Sequence, residues 1–163
     1  MADRSQRDDA TPNRLWEAIE TRRVGMLSLT KSGLHGQPMI AFVERRRKRL
    51  WFIARTDSDL ARAIGDGAAC MFVLQEADLL VSVSGELSVV QDRPRMARYW
   101  DSRLAAWLPE GLDDPALAML RMDCVDAELW VADLGLTKVA WEIAWTGKRP
   151  QVLESDGRTP TFH

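Results

Sequence analysis

The residues best placed to do chemistry are Arg55-Thr56-Asp57-Ser58, which follow the apolar run Leu50 to Ala54 and precede a short helical segment, Asp59 to Ile64, closed by Gly65 and Gly67. A strand that ends in a cation and hydroxyls and feeds a helix presents free backbone N–H groups, a geometry that binds phosphate. The same residues read equally as a helix cap, with Asp57 or Ser58 accepting from the first turn, while Asp57 and Asp59 repel an incoming anion. Spacing alone leaves both readings open. Other clusters carry less. The run Arg45-Arg46-Arg47-Lys48-Arg49 has the charge to touch a phosphate backbone, but it lies between two apolar runs and reads as a solvated hairpin tip. Glu110, Asp113 and Asp114 match no calcium-loop spacing, and the two aspartates read as a helix-entry signal before Pro115, so no metal is expected. His35 falls in a turn and His163 at the end of the sequence, and no elbow-type serine accompanies either, so no catalytic residue is assigned. G-x-G-x-x-G, P-loop, H-E-x-x-H and G-x-S-x-G patterns are all missing.

Composition bounds what must position these residues. A chain of 163 residues, 46% hydrophobic and 28% charged, has room for one core and one domain. A net charge of -2 supplies no general pull towards nucleic acid or anionic lipid, so neither is expected as a partner. Cys70 and Cys124 sit in apolar stretches without metal-ligand spacing and read as buried free thiols of a reducing compartment. Met1 to Thr11 is polar, and no run approaches the roughly 20 apolar residues of a membrane span, so a cytoplasmic location is expected. Seven Trp against four Phe and one Tyr is the unusual feature, because it offers large flat side chains for more than packing.

Residues 1–12 read as a mobile lead-in, after which Asn13 caps a short helix with Leu15, Trp16 and Ile19 on one face. Val24 to Thr30 and Pro38 to Val43 form a hairpin around the glycines of Lys31 to Gln37, and Leu50 to Ala54 is a third strand. Ala68 to Leu74 pairs with Leu79 to Val90, whose alternation turns Val81, Val83, Leu87 and Val89 one way and Ser82, Ser84, Glu86 and Ser88 the other. Asp92 to Ala106 has helical period through Met96, Trp100 and Leu104. Leu117 to Val125 and Glu128 to Ala132 supply further strands, Gly135 to Thr146 is strand or helix, and 147–163 reads as a polar tail. Six or seven short strands with three brief helices predict a mainly β, closed or nearly closed antiparallel barrel occupying 13–146, with peripheral helices.

In order and spacing, several segments resemble the pyridoxamine phosphate oxidase-like flavin-binding split barrels, in their bacterial general stress protein branch. His35-Gly36-Gln37-Pro38-Met39 is similar to H-x-R-P-M, and Leu50-Trp51-Phe52-Ile53-Ala54 with Ser58 to l-W-F-x-T-x-x-x-S-x-K. Gly85 to Arg93 is similar to G-x-x-x-V-x-D-R, Trp107 to Pro115 to W-F-P-x-G-x-x-D-P, and Ala127-Glu128-Leu129-Trp130 to A-E-x-W. The resemblance spans about Leu15 to Trp130. It implies a six- to seven-stranded antiparallel split barrel, a homodimer, and flavin mononucleotide (FMN) in a groove between subunits. By the same resemblance Arg55, Thr56 and Ser58 hold the phosphate, Gln37, Pro38, Met39 and Ile40 line the ring and ribityl chain, and Trp107 covers the ring.

Three positions depart from the family pattern: Gln37 stands for Arg, Ala54 for Thr and Leu60 for Lys. Each charge-assisted bond lost to a phosphate is typically worth about 1.5–3 kcal/mol. Arg55 and Arg62 are the available substitutes. The function expected first is an FMN-binding protein, in its active form an oxidoreductase linked to general stress response, with the flavin doing the chemistry. The alternative is a non-enzymatic, stress-related binding protein with a degraded flavin site, or one that takes another flat cofactor such as haem or deazaflavin.

Overall fold

Strand-forming runs dominate the sequence, and the backbone hydrogen bonds follow them. The protein's structure, a computed structural model, describes residues 4–131, 137–142 and 151–153, with side chains described for 12–131. In chain order the elements are α1 (Arg4–Arg22), β1 (Val24–Leu29), β2 (Gln37–Ile40), β3 (Phe42–Glu44), β4 (Arg49–Arg55), α2 (Asp59–Ile64), β5 (Ala68–Glu76), β6 (Leu79–Val90), α3 (Arg93–Tyr99), α4 (Ser102–Trp107), β7 (Leu117–Val131), β8 (Thr137–Glu142) and β9 (Gln151–Leu153). The basic run forms one 3-10 turn, Arg45–Arg47, closed by Lys48 in the left-handed region at φ 55.

The sheet path runs β2-β1-β5-β6-β7-β4-β3, with β8 and β9 added beyond β7. Every pairing is antiparallel. Its two terminal strands, β2 and β3, are consecutive in the chain and separated only by Ala41. The sheet must therefore curl until its ends meet, which makes the expected mainly β split barrel a consequence of connectivity. At that seam Ala41 N–H donates to the carbonyl of Arg23 at 2.8 Å. The Arg23 guanidinium donates to Asp101 at 2.9 Å.

Two apolar clusters result. Inside the curl, Leu15, Trp16 and Ile19 of α1 pack with Phe52, Phe72, Leu87 and Leu120. Outside it, α3 and α4 bring Met96 and Leu104 onto Phe42, Trp51, Ile53 and Met119. Strand β4 is thus covered on both faces, and its residues from Leu50 to Ala54 are all buried. Among the described residues no polar or charged side chain is buried. Cys70 and Cys124 are buried free thiols, as the sequence suggests. Burial pushes both up to about 12, so they stay protonated at neutral pH. They flank Gly85 in cross-strand register, Cys70 on β5 and Cys124 on β7. A Cβ on Gly85 would lie 2.5 Å from the carbonyl oxygen of Asp123, so only glycine fits there.

Several boundaries differ from expectation for local reasons. Helix α1 begins at Arg4 and runs through Pro12, so the backbone of 4–12 is helical rather than a lead-in to a cap at Asn13; proline costs one backbone bond without ending the helix. The single helix expected across Asp92 to Ala106 is two, because Trp100 turns extended and Asp101 accepts from Leu104 N–H to cap a new one. The last strands are one strand, β7, whose register with β6 jumps at Ser84/Gly85 and leaves Val125 as the extra, exposed residue. Val89 is exposed although it shares a face with Leu87; β5 ends opposite Leu87, so beyond it β6 is paired on one edge only, by β7. Segment Gly135 to Thr146 contributes strand β8, and 151–153, read as tail, pairs with it as β9. The rest of the proposed tail, and Trp145, lie outside the described residues.

Candidate functional site

Four segments converge beside the seam of the barrel. Strand β2, the C-terminal end of β4, the first turn of α2 and the end of α4 enclose a cavity of about 310 Å³. That is the lower end of the range for small-molecule sites. Seven residues singled out from the sequence line it: Gln37, Pro38, Met39 and Ile40 from β2, Arg55 and Ser58 from the β4–α2 turn, and Trp107 from α4. Thr56 and Arg62 do not. Thr56 N–H is committed to the carbonyl of Ala116 at 2.7 Å. Arg62 extends into solvent with its guanidinium 4.0 Å from Asp59.

The two ends of the cavity differ in chemistry. At one end Pro38, Met39 and Ile40 face Leu104, Leu108 and Trp107. Trp107 is 44% exposed in the free chain, an uncommon position for so large an apolar surface. Its place follows from α4, where Leu104 is buried and carries the helix onto the outer cluster, leaving Trp107 at the rim.

At the other end the polar groups are already bonded. Ser58 Oγ donates to the carbonyl of Arg55 at 2.7 Å and accepts from Ala61 N–H at 3.2 Å, so it caps α2. Arg55 Nε and Nη2 donate to the two carboxylate oxygens of Asp57, both at 2.9 Å. Its Nη1 donates to Asp114 Oδ2 at 2.6 Å. The bonds to Asp57 hold the Arg55 guanidinium above its ordinary range, with Asp114 adding to the effect, and hold the Asp57 carboxyl below its own. Leu60 and Ala54, both buried, and Asp59 complete this wall.

Sequence reasoning missed Ile53, Asp59, Leu104 and Leu108 as lining residues, and above all the role of Asp114. Asp114 was expected to announce a helix before Pro115; instead its Oδ1 accepts from Ala116 N–H at 2.9 Å and its other oxygen takes Arg55. The loop that presents it is tied down by Arg93, which donates to the carbonyls of Leu112, Asp114 and Leu117 at 3.0–3.2 Å. The bidentate Arg55–Asp57 pair was available to a reader as an Arg-x-Asp spacing, but a contact across 59 residues was not. The basic run is also partly neutralised: Arg45 makes a two-pronged bond to Glu20 at 2.7 and 2.8 Å, and Arg47 lies 3.6 Å from Glu44. No described helix is long and apolar enough to cross a membrane.

Residues 10–150 match the family model described as pyridoxamine 5'-phosphate oxidase like. Among solved structures, the chain is similar to the general stress FMN/FAD binding protein of Xanthomonas citri, at 30% identity and a TM-score of 0.69 over 78% of this chain and 93% of that one. It is likewise similar to a general stress family protein of Xanthomonas campestris pv. campestris, at 32% identity and a TM-score of 0.68 over 80% of this chain and 90% of that one. No curated protein matches it.

Proposed function

The chain belongs to the pyridoxamine 5'-phosphate oxidase-like family, and from that premise we propose that it binds a flavin in the cavity beside the barrel seam and uses it as an oxidoreductase. The observation that carries this reading is the convergence of β2, β4, α2 and α4 on one cavity with a largely apolar lining, in a chain whose relative from Xanthomonas citri is described as binding FMN or FAD. The residues fit an isoalloxazine ring. Pro38, Met39 and Ile40 offer one apolar wall and Leu104 and Trp107 the other, and an aromatic ring between such surfaces gains from both burial and stacking.

The residues at the polar end do not fit a phosphate dianion. Arg55 is held by two carboxylates, the Ser58 hydroxyl is spent on the cap, and Leu60 offers no donor. The same observation favours a second reading, a stress-related binding protein that holds a flavin or another flat cofactor without turnover.

A homodimer is part of the proposal. Pro38, Met26 and Val73 are cross-strand neighbours on β2, β1 and β5, and all three are exposed, which makes an apolar row that starts at the cavity lining. A second copy laid on that row buries it and closes the open side of the site. The absorbance spectrum of the purified protein tests the cofactor: flavin bands near about 375 and 450 nm, or their appearance on adding flavin with saturable binding, are expected. A colourless protein that ignores added flavin overturns the reading. Oxidation of a reduced nicotinamide by the flavin-loaded protein separates the two readings. Sedimentation of the wild type against Met26→Lys/Val73→Lys tests the dimer, which the double substitution is expected to dissociate.

A further inference from the structure

We propose that the cavity selects a flat heteroaromatic ligand whose tail carries no phosphate, so that a ring bearing a neutral hydroxylated chain binds at least as tightly as its phosphate monoester. The inference rests on reading the cavity as a flavin site and names the ligand class that site prefers. Its basis is the charge and the hydrogen-bond inventory at the β4–α2 end. Arg55 is the one cationic side chain lining the described cavity, and Asp59 lines the same wall. Of the five N–H donors of a guanidinium, three on Arg55 are directed at Asp57 and Asp114 at 2.6–2.9 Å. A phosphate that approached Arg55 would displace or face two carboxylates and pass a third, so like charge opposes it where a phosphate site needs surplus positive charge.

The neighbouring groups do not compensate. The Ser58 hydroxyl has its one proton on the Arg55 carbonyl. Leu60 is 4% exposed and presents only methyl groups to the wall. Asp114 cannot swing aside without loss, since its second oxygen holds Ala116 N–H in a loop already fixed by Arg93. A neutral polyol tail meets none of this repulsion, and its hydroxyls can donate to Asp59, the carboxylate that lines the cavity. The ring, held at the apolar end, then supplies most of the affinity in both ligands.

Paired fluorescence titrations with riboflavin and FMN test this on the whole chain, using the wild type, Asp57→Asn and Leu60→Lys. The wild type is expected to bind FMN no more tightly than riboflavin. Leu60→Lys is expected to move the affinity ratio at least about tenfold towards FMN. Asp57→Asn, a surface change that removes one carboxylate charge and one of the two oxygens that accept from Arg55 without touching the core, is expected to move it about threefold the same way. Wild-type protein that binds FMN more tightly than riboflavin overturns the inference and leaves the flavin reading standing. If neither substitution moves the ratio, the tail does not lie at this wall and the inference is again overturned. If neither ligand saturates the protein, the flavin reading itself fails.

Discussion

At the α4 end of the cavity the wall is made of Pro38, Met39, Ile40, Leu104 and Trp107; Pro38 and Trp107 are exposed, Ile40 and Leu104 are already packed in the outer cluster, and none carries a charge. At the α2 end the wall is made of Arg55, Ser58, Asp59 and Leu60, and its hydrogen-bonding groups are occupied by Asp57, Asp114 and the cap of the helix. The first end stands on β2 and the second on β4, two strands of one sheet, and the difference between the ends is chemical. It lies in what each end still has to offer a ligand. Burying about 200 Å² of ring surface at the first end is worth about 5 kcal/mol before the costs of association. At the second end a dianion must first break charge-assisted bonds that the protein has made with itself.

Combining Leu60→Lys with Asp57→Asn is the largest way to erase that contrast. The double variant is expected to gain about thirtyfold in FMN affinity, about 2 kcal/mol, with riboflavin affinity nearly unchanged in the same titrations. Removing the other end is the next largest: Trp107→Ala is expected to weaken riboflavin and FMN alike by about tenfold, with a stability loss of about 0.5–3 kcal/mol in chemical denaturation because the side chain is only 44% exposed. Ser58→Ala sharpens the contrast from within the polar end. It is expected to cost about 1 kcal/mol of unfolding free energy and to leave FMN affinity unchanged, since the hydroxyl serves the helix and not the ligand. A loss of FMN affinity with stability intact would reverse that assignment.

Much of the barrel was legible from period and turn residues, because strands with one face in a core must alternate, and β6 does so over most of its length. The pocket's apolar end was legible through family resemblance in His35 to Met39 and in Trp107. What sequence could not show was pairing at a distance. Asp114 looked like a local signal before Pro115, and only the curl of the sheet brings it to Arg55. Arg62 looked like a compensating cation one turn beyond Ser58, but α2 turns it to solvent with Asp59. The break at Trp100 was hidden for the opposite reason: Met96, Trp100 and Leu104 keep helical spacing across it, so the apolar pattern continued although the helix did not.

The smallest expected effect is on pH. The bond to Arg55 holds the Asp57 carboxyl below its ordinary value, so the pair's contribution to stability is complete above the unfolded carboxylate value near about 4 and is lost as pH falls through the lower folded value. Thermal unfolding followed downward from neutral pH should therefore show a slight additional fall in that acid range for the wild type that Asp57→Asn lacks. A wild type and variant with parallel acid profiles would mean that the clamp contributes nothing to the fold.

The salt dependence of the FMN and riboflavin affinities of the wild-type protein reads the charge of the α2-end wall itself, because screening acts on the tail's charge and not on the ring. FMN is expected to bind no better than riboflavin at low salt and to close any gap as ionic strength rises, the sign of a repulsive wall being screened. An FMN affinity that begins well above that of riboflavin and falls towards it with added salt would contradict the account, since only a wall of available cations behaves in that way.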